Sequence, residues 1–322
     1  MNMKKIYFVI TVALAFGIAM VPEIVLAAED GVGHYIPGAF ADFSTMAPES
    51  GGAFMDWYLH YNGSVNISKQ IEFGGIVAAG ARAAENVELF GLAYTLPCAI
   101  LGGKYTAALV ADYIWEDVTG TFTGPFGRSL TRTDATSGVG DTIIIPFWLG
   151  WNKGECKWNT QLNIYAPTGA FDVGQLANTG LNYWTFEPMV SFSAISRKIG
   201  LEVSFNAALD FNTNNNDTNY HSGEIFHFDG TIAEHLPLCT WGIFGVGVNG
   251  YYWKQFSPDA GSGAKLGSFE TLQTGVGPVL SYISPPFCGN HTIVAEVKWL
   301  PQIDTRYTLS GNYVWGKLSL TF

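Results

Sequence analysis

The stretch Asp210-Phe211-Asn212-Thr213-Asn214 sets oxygen-bearing side chains one residue apart, as a calcium loop does. The match stops there. Asn215 stands at the sixth position, where such a loop needs Gly, and His221 at the twelfth, where it needs Glu. His34, His60, His221, His227, His235 and His291 have no metal-ligand spacing. No Gly-x-Ser-x-Gly, His-Glu-x-x-His or phosphate loop occurs. No catalytic residue, metal site or cofactor is therefore expected, and the chain is not expected to be an enzyme. What remains are charged and aromatic side chains that alternate with apolar ones, a chemistry suited to lining a passage.

The alternation has period two, the signature of strands. Leu201, Val203, Phe205, Ala207 and Leu209 share one face, and Glu202, Ser204, Asn206, Ala208 and Asp210 the other. Ile293, Ala295, Val297 and Trp299 likewise oppose Thr292, Glu296 and Lys298. The segment 141–150 is apolar on both faces. Counting back from the C-terminus predicts strands over 312–322, 291–301, 270–282, 241–254, 224–234, 200–211, 183–194, 156–167, 140–150, 103–117, 86–96 and 54–64. Short connections (97–102, 151–155, 195–199, 235–240, 283–290) alternate with longer ones (65–85, 118–139, 168–182, 212–223, 255–269, 302–311). An even number of roughly ten-residue strands with this asymmetry predicts an all-β, transmembrane antiparallel β-barrel of about 12 strands, within a range of 10–14.

Composition agrees. Only 13% of residues are charged and 15% are aromatic, with 38 glycines and a net charge of −11. Disorder needs more charge and fewer aromatics, and 16 basic against 27 acidic residues excludes an ordinary nucleic-acid binder. Lys4 and Lys5, the uncharged run Ile6 to Met20 and Val25-Leu26-Ala27 have the layout of a cleaved secretory signal peptide over 1–27. Later stretches fall short of the ~18 apolar residues of a spanning helix. Trp148, Trp151, Trp158 and Trp241 lie near the short turns; Trp115, Trp184, Trp253, Trp299 and Trp315 lie towards the long loops. Two such belts suit two membrane interfaces. The last strand alternates and ends on Phe322, a terminal aromatic resembling an outer-membrane assembly signal. The expected surroundings are a bacterial outer membrane, its lipid bilayer and its assembly machinery.

Ordered short strings also resemble one family: Gly33-His34-Tyr35-Ile36-Pro37-Gly38, Ile100-Leu101-Gly102-Gly103-Lys104-Tyr105, Gly138-Val139-Gly140-Asp141 and Tyr165-Ala166-Pro167-Thr168-Gly169, followed by the Asn-rich run from Asn212. Their order looks like the outer-membrane proteins named for the meta-cleavage pathway of phenol degradation. The resemblance runs from about Gly33 to Phe322. It implies a barrel that admits small hydrophobic, in particular aromatic, compounds.

The register turns Lys104, Asp112, Glu187, Glu202, Asp210, His227, Asp229, Glu296, Lys298 and Lys317 towards a lumen. Acids outnumber bases there, which disfavours anions. Tyr165, Tyr251, Trp253, Tyr313 and Trp315 also point inward and, with Glu202, Asp210, Glu296 and Lys298, form the expected solute path. The alternative is that these groups only fill a narrow barrel. Residues 28–53 precede the barrel, 54–322. This segment carries His34, Tyr35, Pro37 and Phe40, is too apolar for a loose tail, and is expected to plug the lumen; a periplasmic cap or a disordered leader is the alternative. Cys98, Cys156, Cys239 and Cys288 sit in or beside short turns, on the expected oxidising side. Three pairings exist. Strand order favours Cys98–Cys156 and Cys239–Cys288, against four free thiols. The leading expectation is passive uptake of small hydrophobic or aromatic molecules, ahead of a non-specific or structural barrel and an outer-membrane hydrolase.

Overall fold

A computed structural model describes residues 31–40, 50–123, 129–266, 270–289 and 291–322. The expected leader, 1–27, and residues 28–30 and 41–49 of the N-terminal segment lie outside the described residues. The strands are β1 (Gly51–Phe73), β2 (Ile76–Ile100), β3 (Gly103–Thr123), β4 (Ser129–Val139), β5 (Thr142–Lys153), β6 (Cys156–Ala166), β7 (Thr185–Ile195), β8 (Leu201–Asn212), β9 (Ile225–Pro237), β10 (Ile243–Gln255), β11 (Leu272–Ile283), β12 (Thr292–Arg306) and β13 (Ser310–Thr321). Each pairs antiparallel with its neighbours, and β1 closes on β13 from Ala53↔Thr321 to Ser64↔Ser310. The far half of β3 pairs with β4 and the near half with β5. β4 and β5 are thus two halves of one stave, interrupted at Gly140-Asp141. The result is a closed twelve-stave transmembrane barrel, as the sequence predicts. Gly52 and Phe322 exchange backbone hydrogen bonds of 2.8 and 2.9 Å across the seam.

The pleat sorts side chains as lipid demands. Leu92, Ile232 and Val297 are more than half exposed, whereas Glu187, Asp210 and Asp229 are fully buried inside. Trp115, Trp158, Trp184, Trp241 and Trp299 are on the outer surface. Trp148, Trp253 and Trp315 instead turn inward and are buried. For Trp148 the cause is local. The pairing slips between Ile144 and Phe147, around Pro146, so residues beyond it change face relative to a strict alternation.

Two expected loops are strands. Residues 65–85 continue β1 and β2 and turn at Gly74-Gly75, where both φ angles are positive (48° and 79°) as a tight two-residue hairpin turn requires. Residues 118–123 continue β3 and residues 129–139 form β4. On the same end, loops 213–224 and 256–266 bridge at His221↔Ala260. Asp259 is their hub, accepting from Tyr220 Oη (2.7 Å), Gly223 N–H (3.0 Å) and Gln255 Nε2 (2.6 Å). Burial pushes its carboxyl up to about 6, against the pull of these donors, from 3.8. The protonated carboxyl is the form that burial favours. The loop contact is therefore fully stable below the unfolded value and loses stability as pH rises through about 6. Hydrogen exchange of residues 256–266, corrected for intrinsic rates, should rise over that window, and Asp259→Asn should flatten the profile.

The four cysteines are free thiols, Cys156 partly buried and the others exposed. The expected pairs do not form. Cys98 lies near the end of β2 and Cys156 begins β6, so β3 and β5 stand between them. Three inter-strand steps are about 14 Å, twice the ~7 Å limit for a disulfide. Cys239 and Cys288 occupy separate turns with β10 and β11 between them.

Candidate functional site: the lumen

The lumen has two unlike halves. From β6 to β13 its wall is polar: Gln161, Asn163, Ser191, Asn206, Thr231, Asn249 and Gln273 are all buried, together with the charged groups above. From β1 to β5 it is largely apolar, with Trp57, Leu59, Val87, Leu89, Ile145 and Trp148 buried inside. Strands such as β2 and β5 are apolar on both faces because one face meets lipid and the other this half of the lumen.

Residues 31–40 lie between the halves. Non-helical backbone here must find partners inside the barrel, and it does. The carbonyls of Pro37, Gly38, Ala39 and Phe40 accept from Trp315 Nε1 (3.0 Å), Lys298 Nζ (3.2 Å), Lys317 Nζ (2.6 Å) and Lys298 Nζ (2.9 Å). Gly38 N–H donates to Asp229 Oδ1 at 3.2 Å, and Tyr35 Oη donates to Asp229 Oδ2. Gly38 has φ +80°, and any Cβ there would overlap Leu300. Glu296 faces both ammoniums, 3.2 Å from Lys298 and 3.0 Å from Lys317. The Tyr35 ring stacks on His227 with centroids 3.6 Å apart. His34 contacts Thr185 Oγ1 (2.7 Å) and Asp141 Oδ2 (3.0 Å) and stacks on Tyr165.

Two cavities flank this segment. One, about 80 Å³, is bounded by Phe40, Met55, Trp57, Val110, Ile145 and Trp148. The other, about 150 Å³, is bounded by Tyr61, Phe73, Leu176 and Leu309 and by the acids Glu85 and Asp112. His34, Tyr35, Ile36, Leu89, Ile143 and Tyr165 line both. The narrow point between the cavities is therefore formed by residues 34–36 facing the apolar wall.

All the predicted path residues face inward and are buried, but they are not one group. Tyr165 borders both cavities, Trp315 the first and Tyr313 the second. Tyr251 meets Tyr313 edge-on, and Trp253 packs at Gly33. Asp210 pairs with His227, Glu296 and Lys298 serve the N-terminal segment, and Glu202 pairs with His235 at 2.5 Å, bordering neither cavity. Sequence reasoning missed the apolar wall of Leu89, Val110, Ile143 and Ile145. Its signal was the two-faced apolarity of 141–150.

The crystal structure of the COG4313 outer membrane channel from Pseudomonas putida F1 is similar, with 11% identity, a TM-score of 0.60, and coverage of 90% of this chain and 100% of that one. The β domain of the Bordetella autotransporter BrkA matches at 10% identity and a TM-score of 0.45, over 85% of this chain and 100% of that one. No curated protein matches the chain. The first likeness independently carries the barrel fold. A family model matches residues 68–318, most of the barrel, and by that match the chain belongs to the family described as "Putative MetA-pathway of phenol degradation".

Proposed function

We propose that the protein is an outer-membrane channel for passive entry of small hydrophobic or aromatic molecules, with residues 31–40 as its plug. The observation that carries this reading is the divided lumen. The polar wall holds the segment, and the apolar wall runs past it from one cavity to the other. A neutral aromatic solute loses little on leaving water for such a wall, whereas an anion meets Glu85, Asp112 and Asp141. The family description names phenol degradation, and the similar solved structure is described as an outer membrane channel. Both support the reading. Export by a leader cleaved near Ala27, and recognition of Phe322 by the assembly machinery, complete it.

The test is flux into proteoliposomes of a neutral aromatic solute against a sugar of similar size. The aromatic solute should enter faster. Leu89→Gln places an amide at the narrow point, and its desolvation should slow aromatic flux by about tenfold while sugar flux stays unchanged. Equal rates for the two solutes would favour a non-specific barrel and end the proposal.

A further inference from the structure

One buried cluster belongs to neither the apolar path nor the anchoring of residues 37–40. Glu187 on β7, Asp210 on β8 and His227 on β9 come from three adjacent staves and are fully buried. His227 Nε2 lies 3.3 Å from Glu187 Oε2 and 3.3 Å from Asp210 Oδ1, and one ligand atom from each residue falls within 4.8 Å of the others. A tetrahedron with metal–ligand bonds of 2.0–2.1 Å has edges of about 3.3 Å. Two edges are thus already set.

The hydrogen bonding points the same way. Both oxygens of Asp210 and both ring nitrogens of His227 have no hydrogen-bond partner among the described residues, although all are sealed from solvent. The two 3.3 Å contacts do not meet hydrogen-bond alignment. Glu187 is braced from behind, accepting from Asn163 Nδ2 (2.5 Å) and Tyr165 Oη (2.9 Å), as outer partners orient a ligating carboxylate.

We propose that Glu187, Asp210 and His227 bind a divalent transition-metal cation in the lumen wall behind Tyr35. One imidazole nitrogen and two carboxylates, with a position left for water, suit Zn²⁺ or Co²⁺; the nitrogen ligand and the scarcity of oxygens disfavour Ca²⁺ and Mg²⁺. The cation would fix the His227 ring on which Tyr35 stacks, tying the segment to the barrel wall.

The full chain, folded in detergent and stripped with a chelator, is dialysed against Zn²⁺ or Co²⁺. The expected result is one tightly held equivalent of Zn²⁺ not displaced by excess Mg²⁺, and with Co²⁺ the intense visible bands of four-coordinate cobalt. Asp210→Asn and His227→Ala should each weaken Zn²⁺ binding by about a hundredfold, and the brace variant Tyr165→Phe by about tenfold. His235→Gln, at a separate buried histidine–carboxylate pair, should change nothing. Heat-modifiable gel mobility identifies the folded variants. The wild-type cobalt spectrum decides without them. Weak six-coordinate bands, no retained metal, or Zn²⁺ held equally by folded Asp210→Asn would overturn the proposal and leave a protonated His227 as the cluster's only cation.

Discussion

Deleting residues 31–40 should raise single-channel conductance in planar bilayers by about tenfold or more. Twelve staves tilted near 40° close at a backbone radius of about 12 Å, and inward side chains leave a bore of about 6 Å radius. Residues 31–40 cross that bore, with His34, Tyr35 and Ile36 between the two cavities. The staves do not depend on the segment for pairing, because the seam from β1 to β13 begins beyond it, at Ala53↔Thr321. The deletion should therefore still show heat-modifiable mobility. Tyr35→Ala should give a smaller gain. It removes one hydrogen bond to Asp229 and the stack on His227, but leaves the carbonyls of 37–40 held. A folded deletion variant with wild-type conductance would show that the segment does not limit flow.

How much of this was legible in the sequence depends on what solvates each residue. Within the bilayer, one face of a stave meets lipid and the other the lumen, and Glu202 to Asp210 or Glu296 to Lys298 could be placed by alternation alone. Beyond the bilayer both faces of a hairpin meet water, so residues 129–139 are strand without an apolar face and read as loop. β5 defeated the pattern differently. Its lumen face is as apolar as its lipid face, and a slip at Pro146 turned Trp148 inward. The cysteine pairing failed on distance, since sharing a rim does not place β2 beside β6. His34, Tyr35, Pro37 and Phe40 stood out by their apolarity. Asp229, Lys298 and Trp315 read as inward-facing but not as partners of this segment, because they lie about two hundred residues or more further along the chain.

Glu296→Gln should destabilise the barrel by about 3–5 kcal/mol, the cost of breaking a buried ion pair from one side. Glu296 is 3% exposed and sits between Lys298 and Lys317. Each ammonium also donates to carbonyls of the N-terminal segment, and Lys317 lies 4.8 Å over the Trp57 ring. Those dipoles and the ring face solvate the cations in part, but none carries a full negative charge. A glutamine fits the space and keeps a carbonyl, so the volume is nearly unchanged and the loss is electrostatic. Lys317→Met acts differently. It removes one cation while Glu296 keeps Lys298, and the remaining loss is mainly the hydrogen bond to Ala39, about 1–3 kcal/mol for a charged donor. Guanidinium unfolding in micelles measures both. The order Glu296→Gln well below Lys317→Met in stability is the expected result, and conductance of Glu296→Gln should show frequent openings as residues 37–40 detach. A Glu296→Gln variant within about 1 kcal/mol of wild type would mean that the carbonyls, the ring faces and the nearby Asp229 carboxyl suffice to hold the two lysines, since surface-like pairs are worth no more than that.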